Sequence, residues 1–348
     1  MMERENDMQE PLKILLILTG GTIGTVVSGD GLRRIPGPEE TEEPLLLQVL
    51  RDRYPEIKTK FTIRTPYQVL SEHMTMGHME KLAACLREEL SPEKQSCYDG
   101  VFITHGSDTL AFTAAFLGEL MQGCPLPVFL LAAQRPLEDP ESNGPENVRA
   151  ALLLTATIRG AVKQGAARCH APVYVPYRNS DGIMYLHWAE ELRQCEPGTD
   201  DFFSSHMGDV RENVGENAGK KAEEKNAEEK KAEEKKAEKT EPWMVPGVTF
   251  QNDVLLLHPY VGINYDHISL EHVRAVVHTL YHSSTAPKEL VGFLDRCREA
   301  GVVCYILPCE PENCHYETTW ELILHGAIPV SGMTEEQAYI RLMMRKTI

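Results

Sequence analysis

Two short runs combine hydroxyls, a carboxylate and glycines in patterns that can support acyl-transfer chemistry. The first, Thr19-Gly20-Gly21-Thr22-Ile23-Gly24, directly follows an apolar run. Its glycines let the backbone approach a ligand closely. A hydroxyl held there among N–H donors, that of Thr22, suits nucleophilic attack beside an oxyanion site. The competing reading is a threonine that satisfies its own turn. The second run, Thr104-His105-Gly106-Ser107-Asp108-Thr109, again lies between an apolar run and a helical pattern. Ser107 and Asp108 fall at a helix N-terminus, where unpaired N–H groups and the dipole favour an anion or an accepting oxygen. Asp108 serves there either as an N-cap or as counter-ion to a substrate ammonium. His105 reads as a hydrogen-bonded structural residue rather than a base. Dinucleotide binding is set aside, because the first run's glycines fall at 20, 21 and 24 and the segment Thr25 to Gly31 reads as a loop. A G-x-G-x-x-G turn would open a helix.

Such turns need a frame of strands and helices. Leu12 to Leu18 is apolar except for Lys13, the pattern of a strand buried on both faces. Further strands are expected at 61–65, 100–104, 127–133 and 171–177, with helices at 74–90, 110–121 and 146–159. This alternation predicts an α/β fold, its larger N-terminal domain (1–211) built on a mostly parallel sheet flanked by helices. Strands at 254–257 and 302–307, with helices at 269–278, 290–300, 319–325 and 334–345, predict a smaller C-terminal α/β domain (246–348). Ser269 and Thr334 are the expected caps of the first and last of these helices. Between the domains, 212–245 is a charged low-complexity insert. Its alanines recur every five residues at Ala222, Ala227, Ala232 and Ala237. That period makes no buried stripe, so the insert reads as a solvated helix or a disordered linker.

Composition narrows the partners. With 42% hydrophobic and 25% charged residues among 348, the chain is neither wholly disordered, collagen-like nor a coiled coil. Its net charge of -17 leaves no large basic footprint for nucleic acid. The insert is nearly neutral, so the acid belongs to the rest. No apolar run approaches a membrane span, and the first ten residues lack a secretory pattern, so a cytoplasmic protein is expected. The nine cysteines contain no CxxC pair and read as reduced thiols. Cys304, Cys309, Cys314 and His315 are too widely spaced for most zinc knuckles and read as core. Neither metal nor cofactor is expected.

The strand Ile14 to Leu18 running into TGGTIG, with Gly100 to Thr104 running into HGSDT, resembles the bacterial-type asparaginase/glutaminase family. The closing stretch Ile328 to Tyr339 is similar to that family's C-terminal end. The resemblance implies that Thr22 attacks a side-chain amide, releases ammonia and forms an acyl ester that water cleaves. It implies a second hydroxyl at Ser107, a carboxylate for the substrate α-amino group at Asp108, and substrate ligands at Ser71 and Glu72, with Gly21 and Gly106 bringing backbone close. It also implies a homo-oligomer, dimer or tetramer, in which Tyr281, His282 and Ser283 complete a neighbouring subunit's site. Gln134, after a strand, is a further candidate to line the pocket.

Two departures bear on activity. The family adds a lysine further along, and none occurs between Lys163 and Lys220. Counting back from Phe202-Phe203-Ser204, Arg193 falls nearest its place, with Arg178, Tyr185 and His187 as further candidates. The family's loop tyrosine is also missing, and its nearest match is Leu32. The expected function is hydrolysis of L-asparagine, or a related small amide, to L-aspartate and ammonia. The alternative is a catalytically idle amino-acid-binding or sensor homologue. A component of a tRNA-dependent amidotransferase is disfavoured, because the first strand begins near residue 12 with no room for a tRNA-docking appendage before it.

Overall fold

In the computed structural model, which describes residues 10–30, 32–34, 43–164, 173–205, 207–209, 243–313 and 315–348, strand β1 (Leu12–Ile17) buries every side chain except Lys13. A strand this apolar must have both faces covered. A small antiparallel hairpin, β2 (Val26–Val27) and β3 (Arg33–Arg34), follows it, then α1 (Leu45–Arg53). Strands and helices then alternate as β4 (Thr59–Arg64), α2 (Met76–Glu89), β5 (Gly100–Thr104), α3 (Leu110–Leu120), β6 (Val128–Leu131), α4 (Gly144–Lys163) and β7 (Val173–Arg178). Next come β8 (Met184–Trp188), a two-stranded piece made of β9 (Leu192–Arg193) and β10 (Phe203–Ser204), and β11 (Met207–Asp209).

The main sheet has seven strands in the order β11-β8-β7-β6-β5-β1-β4. Strands β1 and β4 to β7 run parallel, while β8 and β11 are antiparallel additions. From β1 the chain goes to β4 on one side and returns to β5 on the other. The carboxyl ends of β1 and β5 therefore form the switch point at which an open α/β sheet leaves a ligand crevice. Leu12, Ile14 and Leu16 pack with Phe102, Phe129, Leu131 and the α4 residues Val148 and Leu152. Phe102 and Phe129 meet edge to face, 5.4 Å between centroids.

The chain divides into two compact units, Met1–Gly247 and Val248–Ile348. Most of the low-complexity insert lies outside the described residues, as do Cys169 and Cys314. Where the chain resumes it belongs to the first unit, since the Trp243 indole donates to the Gln122 carbonyl at 2.8 Å. The second unit is a four-stranded parallel sheet of β12 (Val254–Leu257), β13 (Ala275–Thr279), β14 (Val303–Leu307) and β15 (Ile328–Pro329). Helices α5 (Leu290–Glu299), α6 (Glu317–Leu324) and α7 (Glu335–Met343) accompany it. Thr334 caps α7 as expected, accepting from the Gln337 N–H at 3.1 Å. Cys304 and Cys309 lie buried in this unit's core.

One expected element is replaced. The helix at 269–278 does not form, and Ala275–Thr279 is instead the strand β13. Its five residues are all buried and β-branched residues fill three of them, so the run fits a sheet interior. Helix α1, whose apolar residues follow Pro44, and strands β8 to β11 went unanticipated. No helix among the described residues is long and apolar enough to cross a membrane.

Among the described residues, three histidines are buried. His105 Nδ1 donates to the Gly106 carbonyl at 2.7 Å, which leaves Nε2 to accept from the Thr113 hydroxyl at 2.8 Å. His278 repeats the pattern with the Thr279 carbonyl at 2.6 Å and the Tyr265 hydroxyl at 2.8 Å. His187 Nδ1 meets the Ser204 hydroxyl at 2.9 Å, and its Nε2 has no partner among the described residues. Burial pushes each of them down to about 4 from 6.5, so all three are neutral at pH 7. Above pH 6.5 both folded and unfolded chains hold them neutral. Below it the unfolded chain takes up protons that the folded chain refuses, so stability falls as pH drops from 6.5 toward 4, by on the order of 3 kcal/mol per histidine. Urea midpoints measured from pH 7 to pH 5 should fall accordingly, and His187→Gln should show a shallower fall. A flat profile would refute the assignment.

Candidate functional site

The two chemistry-bearing runs meet at the switch point, where hydroxyl bonds continue the pairing of β1 with β5 past the strand ends. The Thr19 N–H donates to the Thr104 hydroxyl at 3.1 Å, and the Thr19 hydroxyl donates to the Thr104 carbonyl. Both residues are buried, so the reciprocal pair is shielded from water. On the other flank, Val69 N–H donates to the Thr19 carbonyl at 3.0 Å and Gly21 N–H to the Val69 carbonyl at 3.1 Å. Three turns, after β1, β4 and β5, are thereby tied together.

Glycine is required at their contact. Gly21 has φ +76°, and a Cβ on it would lie 2.1 Å from the Gly106 nitrogen. A Cβ on Gly106 would lie 2.4 Å from the Ser71 hydroxyl oxygen. No side chain fits between these backbones, and only glycine adopts the Gly21 conformation without strain.

The side chains around this contact fall into two sets. Those that hold the turns are bonded. Ser71 is buried and donates its hydroxyl to Asp108 Oδ2 at 2.9 Å, while the Asp108 N–H donates back to the Ser71 oxygen at 3.2 Å. The Thr109 hydroxyl donates to the Ser71 carbonyl at 2.9 Å. Thr25 donates its hydroxyl to the Thr22 carbonyl at 2.9 Å, so Thr25 rather than Thr22 satisfies that turn. The second set comprises the hydroxyls of Thr22 and Ser107, both half-buried and without a partner among the described residues. They sit on adjoining turns, immediately after the two glycines in contact. Asp108 is exposed, with no cation within ion-pair distance among the described residues.

Glu72 is also exposed and bonds to none of these groups. Asn143 accepts from the Gln134 N–H at 2.9 Å and donates to the Arg178 carbonyl, and Asn147 bridges Ala132 to Arg178. These asparagines fix strand ends.

The place expected for a lysine is filled differently. Arg193 is exposed, Arg178 pairs with Glu146, Tyr185 donates to Asp181 at 2.8 Å and His187 holds Ser204. The residue that reaches the Ser107 turn is Gln194. Its Nε2 donates to the Ser107 carbonyl at 2.7 Å and its Oε1 accepts from the Ala111 N–H at 3.2 Å. The sequence count missed it by one position, because Phe203-Ser204-Ser205 serves as well as Phe202-Phe203-Ser204 for the starting point.

Comparison with known proteins agrees with this architecture. The family model described as Asparaginase, N-terminal matches residues 13–183. Residues 13–183 thus carry an asparaginase-family N-terminal domain. Among solved structures, L-asparaginase I from Vibrio cholerae is similar in fold, with a TM-score of 0.65 at 22% identity over 97% of this chain and 93% of that one. The L-asparaginase from Thermococcus kodakarensis gives 0.64 at 19% identity over 96% and 92%. Among curated relatives, a glutamyl-tRNA(Gln) amidotransferase subunit from Thermofilum pendens is 25% identical, covering 97% of this chain and 71% of the relative. A Thermococcus kodakarensis L-asparaginase is 29% identical over 40% of each chain.

In this domain, Gly21 and Gly106 are positions where a methyl group should be poorly tolerated. Gly21→Ala and Gly106→Ala should each lower stability by about 1–3 kcal/mol or more, because the added carbon forces backbone or the packed Ser71 to move. Gly24→Ala, whose Cβ meets nothing within 4 Å, is the control and should stay near wild type. Chemical denaturation of the three variants checks this, and equal midpoints would refute the tight contact.

Proposed function

We propose that this protein is an amidohydrolase that cleaves a small linear amide, L-asparagine foremost, to L-aspartate and ammonia. The supporting observation is the pair of half-buried, unpartnered hydroxyls, Thr22 and Ser107, on turns whose other polar groups are bonded to one another. In this reading the Thr22 oxygen attacks the amide carbon, the C–N bond breaks and an acyl ester forms. The proton given up by Thr22 ends on the departing nitrogen, with Ser107 as relay, and water then cleaves the ester. The Asp108 carboxylate, oriented by Ser71, takes the substrate ammonium, and Glu72 lies at the exposed rim. Gly21 and Gly106 let the substrate rest against backbone. No metal or cofactor enters the reaction. A homo-oligomer in the cytoplasm, with a small amide as its only other partner, completes the proposal.

A second reading, amino-acid binding without turnover, is favoured by Gln194. An amide side chain neither takes up nor returns a proton, whereas general-base help is worth about 10² to 10⁴ in rate. Calorimetry separates the two readings, since heat of binding with no ammonia release would support the idle form. Glutamine belongs in the assay beside asparagine, because one methylene changes recognition by only about 1–3 kcal/mol.

Ammonia release from asparagine should fall at least about 100-fold in Thr22→Ala and recover in part in Thr22→Ser, with both variants folded by circular dichroism. Equal release by wild type and Thr22→Ala would remove Thr22 from the mechanism.

A further inference from the structure

The Ser107–Asp108 turn is clamped from two directions by neutral groups. Ser71 holds it on the Asp108 side. On the other side, the first N–H groups of α3 have no partner within the helix, and the helix's own cap residue, Thr109, spends its hydroxyl on the Ser71 carbonyl. Gln194 supplies what is lacking from 83 residues away, accepting from Ala111 N–H while donating to the Ser107 carbonyl. Its base is firm, because Leu192 is fully buried and β9 pairs with β10 at Leu192–Ser204 and Arg193–Phe203. One planar amide therefore spans the turn, touching the residue that carries the free hydroxyl and the helix that follows it. The next residue, Cys195, is close enough to feel the Asp108 charge.

We propose that Gln194 is a positioning residue for the reacting turn: its amide fixes Ser107 and Asp108 against β9 and does so without adding charge beside the Asp108 carboxylate. The proposal rests on the amidohydrolase reading but makes a separate claim. Loss of the strut lets the hydroxyl and carboxylate drift from their mutual geometry, and misplacement of about 1 Å costs on the order of 100-fold in rate.

The test uses the full chain with two substitutions. Gln194→Met keeps the length and volume of the side chain and removes its hydrogen bonds to Ser107 and Ala111. Gln194→Glu keeps the acceptor for Ala111, loses the donor to Ser107 and places a second carboxylate near Asp108. The expected result is a fall in kcat/KM for asparagine of about 10- to 100-fold in Gln194→Met, measured at a temperature where the variant is fully folded. In Gln194→Glu the acid limb of the kcat/KM profile should also move to higher pH, because two neighbouring carboxylates resist joint ionisation. A merely structural glutamine would lower Tm without moving that limb. Wild-type kcat/KM in Gln194→Met, or loss explained wholly by unfolding with an unmoved limb in Gln194→Glu, overturns the proposal. If wild type itself releases no ammonia, the amidohydrolase reading fails, and aspartate binding by calorimetry becomes the readout. About tenfold weaker binding in Gln194→Met then supports the positioning role, and unchanged binding overturns it.

Discussion

The contact between the backbones of Gly21 and Gly106 is the constraint on which the rest of the site depends. Two strand-ending turns can come this close only if neither carries a side chain at the contact and if the backbone groups displaced from the sheet ladder find other partners. Thr19 and Thr104 supply those partners by exchanging hydroxyl and backbone bonds just upstream of the glycines. The strand order does the remainder. Because β4 and β5 lie on opposite sides of β1, nothing in the sheet covers the end of β1, and the turns after all three strands converge there.

Satisfaction of polar groups then separates structure from chemistry. His105 lies within two residues of Ser107, yet both its ring nitrogens are committed to the Gly106 carbonyl and the Thr113 hydroxyl. With its proton affinity lowered by burial, it has neither a free nitrogen nor a suitable affinity for service as a base near pH 7. Its work is to hold the Gly106 carbonyl, and through it the glycine contact. Asn143, Asn147 and Asn179 do the same at the ends of β6 and β7, where buried amides stitch loops to strand ends. Against this background an unpartnered hydroxyl is informative, because the neighbouring hydroxyls of Thr25, Ser71 and Thr109 are all spent on the fold.

Legibility in the sequence followed the strength of local constraint. Strands β1 and β5 were readable because a run buried on both faces has no polar alternation to confuse it, and the glycine turns were readable because no other residue tolerates their geometry. Thr334 announced α7, since a cap is a local signal. The segment 269–278 misled for the opposite reason. Leu270, Val273 and Val277 repeat at helical spacing, but the strand that forms is chosen by the two parallel neighbours of β13, which local pattern does not contain. Gln194 was out of reach in the same way, because its bonds to Ala111 and Ser107 span 83 and 87 residues. Counting from a Phe-Ser landmark carries an error of one residue, and on a strand such an error exchanges the inward face for the outward one. Arg193 is exposed, and Gln194 is turned toward the Ser107 turn.

That exchange matters for how the site is held. A lysine ammonium beside Asp108 would satisfy the carboxylate within the protein, as a point charge with no preferred plane. An amide bridges a carbonyl and an N–H in a fixed plane and leaves the carboxylate charge unmet. Asp108 in this chain has Ser71 on one oxygen and no cation within reach among the described residues. An exposed carboxylate so oriented is well placed to draw its counter-charge from a ligand, so the neutrality of Gln194 shifts the electrostatic demand of the turn from the protein onto whatever binds. Binding and proton transfer, which one lysine could serve together, are thereby separated: the first is left to Asp108, and the second has only the hydroxyls of Thr22 and Ser107 to work through.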